Sequence, residues 1–287
     1  MRRMFVLGLL LAVTAFAHSP QGHLILIGGG ERPVEAMKKF VELAGGPTAS
    51  ILVLPTASED PDYVQRLLRS FKKDYGCSNV KLLNVKTPPD ALRRDYVEAV
   101  RSAGGIFFTG GDQTRIIRTL KDSPLLAAIR EAYARGAVVG GTSAGTACMS
   151  SLMITGEGNF DVVRPGSVEL WPGLGFFSGT IVDQHHLARR RFNRLLTVIL
   201  EHPQLLGVGI DEDTAVWVQP DGTFQVLGAS SVLVVDASGA TVKALAPRHG
   251  TQARFSASSL VLHVLSAGDR FDLTSRQVLK PQDPPTT

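Results

Sequence analysis

From residue 23 onward, short runs of β-branched and apolar residues that end in glycine or turn residues alternate with longer stretches whose apolar positions recur every three to four residues. The short runs predict strands at 24–27, 51–54, 80–83, 105–109, 137–140, 180–182 and 206–210, and the longer stretches predict helices at 33–44, 61–75, 89–103 and 187–201. Strand and helix in alternation define an α/β protein. Strands separated by helices need crossover connections, so the central sheet is expected to be mostly parallel with helices on both faces. In such a sheet a site forms at the carboxyl ends of the strands.

After Glu212 the texture changes. Residues 214–218, 223–226, 231–235 and 260–265 read as short strands joined by turns such as Pro220-Asp221-Gly222, with no helix between them. This predicts a C-terminal antiparallel β extension from about residue 214, within a single domain covering 18–280. Pro281 to Thr287 reads as a flexible tail.

At the other end, Arg2 and Arg3 precede the apolar run Met4 to Val13, and Ala15-Phe16-Ala17 places small residues at cleavage positions. Residues 1–17 are therefore expected to be a signal peptide cut after Ala17, giving an exported chain with no stable membrane anchor. The apolar run falls short of the roughly 20 residues that span a bilayer.

Charge and cysteine content narrow the classes of function. The formal net charge is +4, of which Arg2 and Arg3 supply two. The remainder is too mild for a nucleic-acid partner, and the densest basic cluster is Arg189-Arg190-Arg191 with Arg194. Cys77 and Cys148 permit at most one disulfide and fit no zinc pattern, so neither a bridge framework nor a metal is expected.

Gly141-Thr142-Ser143-Ala144-Gly145 fits G-x-S-x-G between an apolar strand and a helix-compatible stretch. A nucleophile perched on such a turn takes a strained backbone, and a side chain at either glycine would collide with neighbouring main chain. The turn also aims the Ala144 amide and a helix N-terminus at the place where an oxyanion would develop. A second glycine-rich turn, Thr109-Gly110-Gly111-Asp112-Gln113, ends another strand of the sheet. It makes an amide near Gly111 a candidate second oxyanion donor and Gln113 a candidate substrate contact.

A serine hydroxyl needs a base within hydrogen-bond reach, and an acid to orient that base. His185 and His186 directly follow the strand at 180–182, and strand alternation allows only one of them to face the site. Asp211, Glu212 and Asp213 follow the next strand and supply the candidate acids. In an α/β-hydrolase the acid precedes the histidine, which would require His249 or His263 as base. The order Ser143, His185, Glu212 fits better, because this chain turns to β-strands where that fold continues with helices.

Six segments together resemble the cyanophycinases and their relatives the aspartyl dipeptidases, serine peptidases with a fold akin to class I glutamine amidotransferases. The segments are Ile25 to Gly30, Phe107 to Gln113, Gly140 to Gly145, Asp183-Gln184-His185, Gly209 to Ala215 and Gly268 to Leu273. The resemblance implies Ser143 as nucleophile, His185 as general base and Glu212 as third triad member, with no cofactor. It also implies substrate contacts from Gln113, Asp183, Gln184, Arg189, Arg191 and Arg194, and a homodimer. The implied substrate is cyanophycin, a polyaspartate with arginine on each side-chain carboxyl, released as β-aspartyl-arginine. Guanidinium groups facing substrate carboxylates suit that polymer. Two other expectations stand beside it: a secreted α-aspartyl or isoaspartyl dipeptidase on the same scaffold, and an inactive binding protein that kept the fold. The chain departs from the family pattern at Thr146, His186 and Arg190.

Overall fold

A computed structural model of the protein describes residues 21–158, 161–247 and 252–280. In chain order its strands are β1 (Leu24–Ile27), β2 (Ile51–Leu54), β3 (Val80–Leu82), β4 (Gly105–Phe108), β5 (Val138–Thr142), β6 (Leu152–Gly158), β7 (Val168–Pro172), β8 (Thr180–Gln184) and β9 (Leu206–Ile210). The C-terminal part adds β10 (Thr214–Val218), β11 (Thr223–Gly228), β12 (Val232–Asp236), β13 (Thr241–Leu245), β14 (Arg254–Ser258), β15 (Val261–Leu265), β16 (Arg270–Asp272) and β17 (Gln277–Leu279).

A nine-stranded sheet has the order β17-β16-β11-β10-β1-β5-β4-β2-β3. Its half from β1 to β3 is parallel throughout, as helix-separated strands require. Side chains on these strands alternate between two buried clusters: Leu24, Leu26, Leu52, Leu54, Ile106 and Phe108 enter one, while Ile25, Ile27, Ile51, Val53 and Phe107 enter the other. Both faces of the parallel half are therefore covered, and each such side chain contributes about 1.5–3 kcal/mol by leaving water.

Two departures from the expected layout matter for the site. The strands β8 and β9 pair with each other in parallel but lie in a separate four-stranded sheet, ordered β15-β12-β9-β8. One face of this sheet shares the large cluster, through Val182, Val208 and Val234, and the other face packs Ile181 and Val235 against the helix Phe192–Glu201. Among the described residues, six of the C-terminal strands divide between the two sheets, while β13 and β14 pair with each other in a sheet of their own. β10, β11, β16 and β17 extend the large one antiparallel, while β12 and β15 complete the small one.

Two helices differ from expectation. The stretch 89–103 breaks into a 3₁₀ turn, Pro88–Leu92, and a helix, Arg94–Arg101, because the proline pair fixes the first turn and Arg93 is extended. The stretch expected as a helix from 187 begins only at Phe192, because Arg190 sits at φ +53° and the Asp211 carboxylate takes up the amides of Leu187 and Ala188.

Candidate active site

The end of β1 collects the pieces. β5 runs parallel to β1 and delivers Ser143 just past its last residue, while β10 runs antiparallel and starts at the same end, with Ile27 opposite both Thr142 and Ala215. Glu212 precedes β10 and is thereby placed near Ser143. His185 arrives from the second sheet, where its amide donates to the Gly28 carbonyl at 2.8 Å.

Glycines at 28–30 create the room. A methyl group on Gly29 would lie 2.1 Å from His185 Cε1, and one on Gly30 would lie 2.4 Å from Asp213 Oδ1 and 2.9 Å from Glu212 Cβ. Gly29 and Gly30 also hold positive φ, which side chains rarely adopt.

Ser143 stands at φ 52°, ψ −110°, the strained turn that its motif implied. The flanking glycines answer to close approach. A methyl on Gly141 would meet the Gly145 carbonyl group at 2.4 Å, and one on Gly145 would meet the Phe108 carbonyl oxygen at 2.5 Å. Thr146, a departure from the family pattern, is buried with its hydroxyl 2.7 Å from the Ile27 carbonyl and 2.8 Å from that of Gly141. It ties the turn to β1.

Ser143 Oγ lies 2.7 Å from His185 Nε2, and His185 Nδ1 lies 2.5 Å from Glu212 Oε1. An ionised Glu212 can only accept, so Nδ1 carries the ring proton and Nε2 is left to accept from the serine hydroxyl. Burial pushes His185 below the ordinary histidine value. The hydrogen bond to Glu212 opposes that shift, and the charges of Arg189 and Arg191 add to it. The imidazole is therefore neutral, and able to act as a base, to lower pH than a free histidine.

At Gly111 the φ is +137° and a methyl would meet the Ala57 carbonyl oxygen at 2.0 Å, so only glycine fits there. Among the described residues its amide has no acceptor. Ala144 begins the short helix Ala144–Ala147, so its amide has no intrahelical acceptor either. These are the two amides expected to hold an oxyanion.

The remaining residues separate into two layers. Gln113, Gln184, Arg189, Arg191 and Arg194 line a cavity of about 560 Å³ that opens from Ser143. A second cavity of about 480 Å³, lined by Gly30, Arg32, Tyr63 and Arg66 among others, meets Ser143 and His185 from another side.

Within the first cavity, Gln113 donates its amide to the carbonyls of Ile154 and Thr155 at 3.0 and 2.7 Å. Arg191 donates to the Gln184 carbonyl and side chain, and burial with the nearby Arg194 charge pushes its guanidinium down to about 10, still cationic at neutral pH.

Asp183 does not reach the cavity, which corrects its expected role as a direct substrate contact. It is fully buried, bound by the Arg194 guanidinium and by His186 Nδ1 at 3.1 Å. Burial pushes its carboxyl up, but the Arg194 charge and the His186 hydrogen bond outweigh that and hold it below the usual range. Its effect on the cavity passes through Arg194, which also donates to Gln184 Oε1 at 2.8 Å. Arg189 reaches toward Glu212, at 3.8 Å.

Of the competing histidines, His186 and His263 fall away. His186 is buried behind the site with Asp183, in space that Gly209 leaves open, and His263 on β15 packs edge-on against Phe271. His249 lies outside the described residues, as do residues 1–17 and the tail 281–287. Asp211 is a structural acid whose Oδ2 accepts from Ser230 at 2.7 Å, and Asp213 accepts from the Glu31 amide. Both cysteines are free and buried, and Cys148 packs in the core, where burial raises its thiol far above the reactive range.

The hairpin β6–β7 is a part of the site that the sequence pattern left unassigned. It brings Thr155, Gly156, Glu157, Glu169 and Trp171 to the cavity. The alternation Val168-Glu169-Leu170-Trp171 was the available signal for its second strand.

An α/β sheet that meets a serine, a histidine and a glutamate at its rim, with two open amides beside the serine, has the parts of a serine-type peptidase. The profile of peptidase family S51 matches residues 24–226. The chain belongs to that family. It is 37% identical over 273 residues to a cyanophycinase of Synechococcus elongatus, covering 93% of this chain and 84% of the relative. A cyanophycinase of Nostoc sp. is 36% identical over 261 residues, covering 89% and 87%. The crystal structure of a peptidase from an acI-B1 actinobacterium superposes with a TM-score of 0.67 at 25% identity, covering 89% of this chain and 98% of that one.

Proposed function

We propose that the protein hydrolyses cyanophycin to β-aspartyl-arginine dipeptides, with Ser143, His185 and Glu212 as its catalytic residues. The observation that carries this reading is the arginine-lined cavity opening directly from Ser143, since Arg189 and Arg191 match the carboxylates of an aspartyl substrate. Relatives named cyanophycinase that align with about nine-tenths of the chain support it. Space on two sides of Ser143 favours an extended substrate over a closed-ended dipeptide site.

In the proposed mechanism His185 Nε2 takes the Ser143 proton as Oγ attacks the scissile carbonyl, and the amides of Gly111 and Ala144 hold the resulting oxyanion. The C–N bond then breaks as His185 returns the proton to the leaving amine. Water, deprotonated by His185, cleaves the acyl-enzyme and regenerates Ser143. Glu212 keeps the imidazole oriented throughout.

Incubation with cyanophycin granules, α-aspartyl and β-aspartyl dipeptides and a simple ester tests the assignment. The expected result is soluble β-aspartyl-arginine from the polymer. Turnover of the small dipeptides with intact granules would replace it with the dipeptidase reading, and no turnover of any substrate with the binding-protein reading. Export rests on the Arg2-Arg3, apolar and Ala-x-Ala pattern of residues 1–17. Protein recovered from a secreting host is expected to begin at His18; chain retained in the cells with its N-terminus intact would remove that part.

A further inference from the structure

The cavity beside Ser143 has a second wall whose chemistry differs from the arginine wall. It is built by the β6–β7 hairpin, which brings two carboxylates to the cavity, Glu157 and Glu169. Glu169 Oε2 accepts from the Thr155 hydroxyl at 2.7 Å and Oε1 from the Trp171 indole at 3.3 Å. Each oxygen thus takes one neutral donor, which orients the carboxylate and leaves acceptor capacity on both atoms. Among the described residues no lysine or arginine lies within 4.0 Å of it. Arg118, which lines the same cavity, stands over the Trp171 ring at 4.9 Å instead.

The cavity sets Arg118, Arg189, Arg191 and Arg194 against Asp112, Glu157 and Glu169. Asp112 is taken up by Thr114 and Arg115, whereas Glu169 is fixed by two neutral side-chain donors with no cation beside it, which makes it a receptor for a positive group of the ligand. A guanidinium fits it best, because its planar fork meets two carboxylate oxygens at once. The proposed substrate carries both charges: carboxylates along its backbone and a guanidinium on every side chain. Resting on that reading, we infer that Glu169 is a specificity-determining residue that pairs with the substrate's side-chain arginine, while Arg189 and Arg191 take the carboxylates. Thr155 and Trp171 act as positioning residues by fixing Glu169. Selection of the arginine-bearing unit then requires both walls, since a bare polyaspartate would leave Glu169 facing a like-charged chain.

Glu169→Gln keeps an acceptor for Thr155 and removes the charge. The test compares it with wild type on synthetic aspartyl oligomers whose side chains carry either arginine or its neutral isostere citrulline. Wild type is expected to prefer arginine, and Glu169→Gln to raise KM for the arginine substrate by about 10- to 100-fold, with kcat within about threefold and citrulline turnover unchanged. Equal losses on both substrates, which a merely structural role in the hairpin would produce, would overturn the inference. So would an unchanged preference for arginine. Wild type inactive on both oligomers and on cyanophycin would instead remove the substrate reading itself, and this inference with it.

Discussion

Replacing Ser143 with alanine is expected to reduce turnover of cyanophycin by roughly 10⁵-fold or more while leaving the fold and substrate binding in place. The size follows from covalent catalysis: without Oγ no acyl-enzyme forms, and only the oxyanion amides and binding remain to act on a water attack. Stability should change little, because Ser143 holds its place through its main chain, whose amide donates to the Ile27 carbonyl at 2.9 Å. Steady-state release of dipeptide, with a circular-dichroism melt as control, reads both quantities. Activity retained at even a hundredth of the wild-type rate would show that another group is the nucleophile.

Glu212→Gln should be nearly as severe, costing on the order of 10³- to 10⁴-fold in kcat, and it carries a signature in pH. Glutamine can accept from Nδ1, but it can equally donate to it and hold the wrong tautomer. The sign of the pH effect follows from the balance on His185, where burial lowers the proton affinity and Glu212 raises it. In the wild type, activity falls as pH drops through the depressed His185 value, so the acidic limb of kcat/KM lies below the ordinary histidine range. Removing the carboxylate removes the raising contribution. The residual activity should then have its acidic limb at still lower pH. A limb that moves upward would mean that His185 is not the group being titrated.

Legibility differed from one part of the site to the next for local reasons. The Ser143 turn was readable because its signature is written in five residues, glycines on either side of the serine between a strand and a helix, although the crowding at Gly145 comes from Phe108 on another strand. Gly111 was readable in the same way, as a turn at a strand end. The choice between His185 and His186 was not, because alternation along β8 ends at Gln184. His185 then takes φ +50° and leaves the strand's pattern, a turn stabilised by its amide bond to Gly28, far away in sequence.

The arginine cluster was legible as a wall of the site only through the family resemblance, for a related reason. Read as one helix from residue 188, Arg189, Arg191 and Arg194 would scatter over different faces. The loop through Arg190 releases Arg189 and Arg191 from that register, and only Arg194 stays helical, buried against Asp183. Glu169 was invisible to any local rule, since an alternating strand of ordinary composition gives no sign of the cavity it will line.

Composition, periodicity and turn chemistry thus carried the α/β class, the nucleophile and the loops beside it, because each leaves its mark in a short stretch of residues, even where a distant carbonyl, Phe108 for Gly145 and Ala57 for Gly111, enforces the glycine. Which imidazole and which carboxylate meet Ser143 was decided by sheet topology. β5 and β10 flank β1 on opposite sides, and β8 and β9 leave the main sheet to bring a histidine over the glycines at 28–30. Strand order and the packing of two sheets on one core are set by contacts between distant segments, and no local pattern encodes them.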